Sequence, residues 1–328
     1  MTAIEVKNLN KVFDYYRKEE GLLGSLKSAF FRKRLHAQAV KDVSFTLEEG
    51  ELVGFIGPNG AGKTTTLKIL SGILHPTGGE VKVLGFTPWE RKVTYLKQIS
   101  LVMGNKNQLW WDLPAIDSFL LNQKIYEVPE PKFRESLKRL VEMLAIKDII
   151  DIPVRKLSLG QRMKAELALA LLHEPRVLFL DEPTIGLDVV SQKNIREFLR
   201  GYNREKKTTI ILTSHYMEDI KELADRVITI DHGQIIYDGN LDELIKKFVG
   251  EKILKIFFKG EIRRPELEKY GKVQLYEKDY AELIVSRDKA ISTTQKILSD
   301  LPVDDLLVEE VPIEEVVRLI FEKGGKVL

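Results

Sequence analysis

Residues 57–64, Gly57-Pro58-Asn59-Gly60-Ala61-Gly62-Lys63-Thr64, constrain the fold of this chain more than any other stretch. They follow an apolar run of strand length at 51–56 and lead into 65–70, whose apolar spacing suits a buried helix. Strand, Gly-rich turn and helix together make a phosphate cradle. The glycines let the backbone curl so that successive N–H groups point inward, and the positive end of the helix macrodipole adds to that field. Lys63 then reaches the β- and γ-phosphates, and the Thr64 hydroxyl holds Mg²⁺. A chance match arises in on the order of one chain in a hundred of this length at ordinary glycine usage, and the flanking strand and helix lower that further. The cradle implies a nucleotide; what the nucleotide drives must be read elsewhere.

The length of 328 residues suggests two domains, and 44% hydrophobic content is enough to build their cores. A net charge of +2 gives no global basic field, so no nucleic acid is expected as a partner. The absence of cysteine excludes disulfides, thiolate metal sites and thiol catalysis, and the five histidines show no metal-ligand spacing. Neither end reads as a signal peptide, and no apolar run approaches the ~20 residues that span a bilayer. Work at a membrane would therefore proceed from the cytoplasmic side, through a partner.

In chain order, 4–7 alternates like a strand, with 11–16 as its continuation or its neighbour. Two readings fit 17–38. Leu22, Leu23, Leu26 and Phe30 at helical spacing, beside Lys27, Arg32, Lys33 and Arg34, make an amphipathic basic helix at a membrane surface or membrane partner. The other reading is a hairpin excursion packed on its own domain. Residues 40–47 alternate again, with Val43, Phe45 and Leu47 on one face, and 80–83 reads as an edge strand. After a strand at 99–103, a loop at 104–114 carries Trp110 and Trp111, and helices at 115–126 and 132–144 imply an inserted helical subdomain.

At 157–162 a polar turn opens a strongly apolar helix through 172, with Ser158 as N-cap, which makes a second anion-binding helix end. Val177-Leu178-Phe179-Leu180 reads as a buried strand ending in Asp181-Glu182, where carboxylates are costly unless paired or bound to a cation. Asp181 suits the water shell of Mg²⁺, and Glu182 suits the polarising of an attacking water. A turn at Gly186-Leu187-Asp188, a strand at 209–213 ending in Ser214-His215, a hairpin about His232-Gly233 and a helix at 242–248 complete the first domain, 1–248. Residues 249–328 form a small α+β unit, with strands at 253–258, 272–276, 281–285 and 306–311 and helices at 289–298 and 313–322.

The ordered set of cradle, Ser-Leu-Gly-Gln turn, Asp-Glu strand, Gly-Leu-Asp and Ser-His resembles the ATP-binding subunit of ABC transporters over 4–248. The resemblance implies a P-loop NTPase of α/β class. Its parts would be a mixed sheet core, an antiparallel β subdomain, and an inserted stretch at 105–172 holding the Q-loop, helical subdomain and signature helix. By this resemblance 57–64 is the Walker A motif, continued by Thr65 on ATP, with Lys63 catalytic. Leu157 to Gln161 is the signature, with Ser158, Gly160 and Gln161 on nucleotide, and 177–182 is the Walker B strand with catalytic Glu182. Asp188 belongs to the D-loop, His215 is the switch histidine, and Phe13 stacks on adenine with Tyr15 and Tyr16 as alternatives. The family works as a dimer that sandwiches two ATP molecules, each between the Walker A of one subunit and the signature of the other. This implies a homodimer with ATP and Mg²⁺, held peripherally at the cytoplasmic face of the membrane by a separate permease.

Two positions depart from the family pattern. Leu159 stands where the signature usually has Gly, and the Q-loop glutamine falls on Asn105, which would serve Mg²⁺ with Thr64 and Asp181, or else on Gln108. The stretch Gln108-Leu109-Trp110-Trp111-Asp112-Leu113-Pro114 and the small tail look like ABC-2 type exporters of bacteria and archaea. The excursion at 17–38 is similar to the insertion of polysaccharide exporters. A soluble DNA or ribosome ATPase is the competing class. It is disfavoured by the lack of sustained heptads and by a single Walker A.

Overall fold

Strand β3 (Leu52–Ile56) buries four consecutive positions, 53–56, which requires cover on both faces, and a sheet forms around it. A computed structural model describes residues 1–16, 34–214, 216–248 and 250–310. Its contacts divide the chain into two units, one ending at Asp238 and one from Gly239 onward.

In the first unit, β3 lies in a six-stranded sheet with β5 (Ile99–Met103), β6 (Val177–Asp181), β7 (Thr209–Thr213), β8 (Arg226–Asp231) and β9 (Gln234–Asn240), in the order β5-β6-β7-β3-β8-β9. The pairings from β5 through β8 are parallel, so the ends of these strands at Ile56, Met103, Asp181, Thr213 and Asp231 share one edge. Ligands of parallel sheets collect at that edge. A second, antiparallel sheet sets β1 (Thr2–Tyr16) between β2 (Arg34–Glu48) and β4 (Gly78–Val83). Val43, Phe45 and Leu47 face the core from β2, as their alternation predicts. Full burial of each such side chain contributes about 1.5–3 kcal/mol.

Residues 11–16 continue β1 rather than forming a neighbour, and 34–38 belong to β2, paired with Val12–Tyr16. That end of the excursion predicted at 17–38 is therefore strand, and 17–33 lie outside the described residues. Helix α1 (Lys63–Leu70) follows the cradle and α2 (Val93–Leu96) precedes β5. The predicted helical subdomain consists of α3 (Ala115–Ile125) and α4 (Glu130–Leu144), both packed on α5 (Leu159–Leu171). Residues 189–206 carry no assignment from sequence yet form α6 (Val189–Lys206), which buries Ile195, Phe198, Leu199 and Tyr202 at helical spacing. Helix α7 (Met217–Leu223) precedes β8.

The second unit begins with α8 (Leu241–Phe248). It continues as β10 (Glu251–Phe258), α9 (Arg264–Leu267), β11 (Lys272–Tyr276), β12 (Tyr280–Ser286), α10 (Arg287–Asp300) and β13 (Val303–Glu310). The strand order β11-β12-β10-β13 and this βαββαβ sequence of elements make a ferredoxin-like sheet. Helix α10 covers one face, over Leu254, Ile256, Leu283 and Val285. The predicted helix at 313–322 lies outside the described residues.

Candidate functional site

The turn between β3 and α1 is held from behind by backbone. A Cβ on Gly57 would lie 2.2 Å from the Ile230 carbonyl oxygen, and one on Gly62, at φ 109°, would lie 2.4 Å from that of Ala39. Neither position admits a side chain. The Ala61 carbonyl accepts the Gly233 N–H at 3.0 Å, so the β8–β9 turn braces the cradle. Gly60 faces open space. Among the described residues no protein group accepts the N–H of Gly60, Gly62, Lys63 or Thr64, which leaves those donors for an anion at the helix end. Asn59 and Pro58 are exposed on the same turn, and Thr65 is half-buried just inside α1.

Lys63 is 5% exposed and curls back, donating to the Gly57 and Pro58 carbonyls at 2.6 and 3.0 Å. Burial pushes its pKa down, while the Glu182 and Asp181 carboxylates push it up. Beside it, the Thr64 hydroxyl donates to Asp181 at 3.0 Å to Oδ1 and 2.8 Å to Oδ2. The sequence places these residues 117 apart, and β6 delivers Asp181 to the first turn of α1. Thr213, wholly buried at the end of β7, completes the group: its hydroxyl donates to Asp181 Oδ1 at 2.8 Å and accepts the Glu182 N–H at 3.1 Å. Glu182 sits at φ 56°, where the chain turns off β6. Hard oxygen donors converging on one point suit a divalent cation of the Mg²⁺ kind.

Ser158 caps α5 as predicted, in a reciprocal box: its Oγ accepts the Gln161 N–H at 3.2 Å, and the Gln161 Oε1 accepts the Ser158 N–H at 2.9 Å. Asp188 caps α6, accepting from Ser191 N–H at 2.9 Å and Ser191 Oγ at 2.6 Å, and these bonds hold its carboxyl below the usual range. The two caps meet. A Cβ on Gly160 would lie 2.4 Å from Ser191 Oγ, and one on Gly186 would lie 3.2 Å from Leu159 Cδ2. Leu159 therefore packs on the turn at 186–188, and Gly186 leaves it room. No hydrogen bond among the described residues joins this turn to residues 57–64 of the same chain.

Phe13 is 38% exposed on β1, paired with Ala37, two residues from the Ala39 carbonyl that backs Gly62; Lys11 Nζ lies 5.0 Å from its ring centroid. Asn105 is exposed and has no partner among the described residues, whereas the Gln108 side-chain amide donates to the Leu101 carbonyl. His215 lies outside the described residues, between Ser214 and Tyr216. Three residues went unread in the sequence: Thr213, Asp219 and Glu166. Asp219, 0% exposed, accepts from Arg196, Ser214 and Thr184; Glu166, 3% exposed, accepts from the loop at 108–109. Glu166 is a lone acid in a helix read as strongly apolar, Asp219 lies in a stretch given no element, and only their lack of solvent marks them.

Residues 40–185 match the family described as ABC transporter, and 250–309 match the EvrA-like ABC transporter C-terminal domain. ABC transporter ATP-binding protein NatA of Bacillus subtilis is 34% identical over 234 residues, 71% of this chain and 95% of that protein. Nod factor export ATP-binding protein I of Burkholderia lata is 34% identical over 218 residues, 66% of this chain and 71% of that one. A solved ATP-binding cassette, dimeric in a post-hydrolysis state with ADP and Pi, shares the fold at a TM-score of 0.60 and 23% identity, over 73% of this chain and 98% of that one. With the cradle, the acidic strand end and the capped turn at Ser158 all in place, this chain belongs to the ATP-binding subunits of ABC transporters.

Proposed function

We propose that the chain hydrolyses Mg·ATP as one half of a homodimer, and that the closing and opening of the pair drives an ABC-2 type exporter through a separate integral-membrane permease. The observation that carries this reading is the convergence of Thr64, Asp181 and Thr213 on one point beside Lys63, next to Glu182. The unpartnered N–H groups of the cradle and Lys63 would hold the phosphates, and Thr64 and Asp181 would hold Mg²⁺. The cation would supply charge neutralisation across the terminal phosphates. Glu182 would take the proton of the attacking water, with His215 orienting it by family resemblance; ATP and water become ADP and phosphate.

A single cradle leaves one side of a triphosphate open. A capped helix end with Ser158 and Gly160, without a hydrogen bond to its own cradle among the described residues, is suited to close that side on a second copy. Val189 and Val190, 73% and 68% exposed beside Asp188, give the same edge an apolar rim. The dimeric relative supports this arrangement, and the export relative supports the direction of transport. A cleft of about 640 Å³ along β5, lined by Ile73, Val93, Leu96, Leu101, Ile125 and Tyr126, offers a permease an apolar seat. Among the described residues no helix is long and apolar enough to cross a membrane, and the permease would hold the subunit at the cytoplasmic face.

The test is Glu182→Gln. Turnover should fall about 10²–10⁴-fold while ATP still binds and stabilises a dimer in size-exclusion chromatography with light scattering. Hydrolysis at the wild-type rate, or an ATP-loaded variant that stays monomeric, sinks the proposal.

A further inference from the structure

Among the contacts that hold the loop leaving β5, one lies at the acidic strand end and two lie on α5. At its start, the Gly104 N–H donates to the Asp181 carbonyl at 2.8 Å, and a Cβ on Gly104 would lie 2.1 Å from the Glu182 carbonyl oxygen. The loop thus lies against the backbone of the acidic pair, closer than any side chain permits. In its middle, Glu166 reaches in from α5, and its Oε1 accepts the Gln108 N–H at 2.9 Å and the Leu109 N–H at 3.2 Å. The Gln108 side chain turns the other way and donates to the Leu101 carbonyl of β5. Further on, the Trp111 ring lies 5.9 Å from the Arg162 guanidinium, one helical turn before Glu166.

Glu166 is an expensive way to do this. It is 3% exposed, its Oε2 has no hydrogen-bond partner, and burial pushes its pKa up against the two backbone donors and Arg162. A buried carboxylate with so few partners costs stability. The residues around it on α5, Ala165, Leu167, Ala168, Leu169 and Ala170, are all buried and pack without that penalty. The groups that gain from the carboxylate are the two loop N–H donors, which otherwise have none but water.

We infer that Glu166 is a positioning residue for hydrolysis: by clamping 108–109 to α5 it holds the loop, and through Gly104 the backbone at Glu182, in register with the helix that starts at Ser158. The inference rests on the ATPase reading above. In the proposed dimer the phosphates of one copy arrive at the Ser158 end of α5 of the other. A shift of α5 then moves 108–109 with it and acts on Glu182 through Gly104, so the clamp conveys nucleotide contact on α5 to the general base of its own subunit.

The test uses the full-length chain with two substitutions. Glu166→Gln keeps an acceptor oxygen for both N–H groups and removes the charge; Glu166→Ala removes the acceptor. The Ala variant should lose about 10–100-fold in kcat, the range for a remote change that shifts a catalytic group by about an ångström, with KM for ATP nearly unchanged. The Gln variant should turn over like wild type. In hydrogen exchange, the amides of Gln108 and Leu109 should be protected in wild type and Glu166→Gln and exchange freely in Glu166→Ala. Wild-type kcat in the Ala variant with those amides deprotected overturns the inference, as does an equal loss in the Gln variant with them still protected. Should Glu166→Ala fail to fold, Glu166→Met fills the space without accepting a bond and is judged the same way. Failure of wild type itself to hydrolyse ATP would sink the functional reading instead, while the exchange data still report whether the clamp exists.

Discussion

Removing Asp219 should damage both stability and turnover, although it faces no phosphate. Asp219, on α7, is 0% exposed, and its Oδ1 accepts from Arg196 Nη1 at 2.9 Å. Its Oδ2 accepts the Ser214 hydroxyl at 2.6 Å and the Thr184 hydroxyl. Thr184 lies two residues after Glu182, and Ser214 directly precedes His215, so one carboxylate ties together both chain segments that carry proposed catalytic groups. In Asp219→Ala the Arg196 side chain, 4% exposed, keeps Glu222 at 3.1 Å but loses its buried counter-ion. Burial lowers the guanidinium pKa, and its partners Asp219 and Glu222 more than restore it; a guanidinium is too basic to lose its proton at working pH, so the charge stays when Asp219 goes. Breaking such a pair from one side costs about 3–5 kcal/mol, which for a unit of this size lowers Tm by roughly 6–20 °C. Circular dichroism melting measures that, with ATPase assayed below both transitions. The double variant Asp219→Ala/Arg196→Met should recover most of the stability, since no buried charge is left unpaired and Glu222, which loses Arg196, is 41% exposed. It should recover little ATPase, since Thr184 and Ser214 still lack their acceptor. A single variant melting within about 2 °C of wild type, less than the effect of one broken buried pair, would refute the reasoning.

Acid should weaken the fold in two windows set by adjacent residues. His173 is stacked on Tyr126 at 3.8 Å, and burial lowers its pKa from 6.5 to about 4, so the unfolded chain takes up that proton first and stability falls between those values. Burial alone would raise Glu174, but Lys206, Arg139 and Lys132 outweigh it and lower its pKa from 4.5 to about 2; its contribution is complete above 4.5 and lost as pH falls toward 2. Urea midpoints against pH should therefore flatten in the upper window for His173→Gln and in the lower one for Glu174→Gln, and an unchanged profile in either would reject its assignment. Asn105→Ala should raise the Mg²⁺ concentration needed for ATPase, whereas Gln108→Ala should leave that dependence alone, because the Gln108 amide is already occupied by Leu101. The opposite pattern would move the Q-loop role to Gln108.

The cradle, the Ser158 cap and the acidic strand end were legible because each rests on a local pattern: a Gly spacing, a Ser N-cap ahead of an apolar helix, an apolar run closed by two acids. Strand alternation likewise placed β2 and most of the small C-terminal sheet. Helix α6 was harder to see, since its 18 residues are mostly polar and its buried face is a single stripe from Ile195 to Tyr202. The bracing of the site was not legible at all. Gly104 looks like any turn glycine until the Glu182 carbonyl is found 2.1 Å from its would-be Cβ, and Gly233 looks like half of a hairpin until its N–H is found on Ala61.

That division has a physical cause. Groups that touch a ligand must supply a fixed chemistry, and fixed chemistry confines residue type and spacing within one turn or strand. Groups that hold them need only meet in space: Thr213 with Asp181, Glu166 with Gln108, Arg196 with Asp219. Those partners come from different strands and helices, so each alone carries the composition of an ordinary polar residue. The rates of hydrolysis should therefore depend on acids that no motif contains. Glu166 and Asp219 separate that dependence into two parts, one reached through Gly104 and one through Thr184 and Ser214. Since the two networks share no residue and meet only at the Glu182 backbone and its neighbours, their losses of kcat should multiply if they position Glu182 independently, and saturate if either alone already releases it.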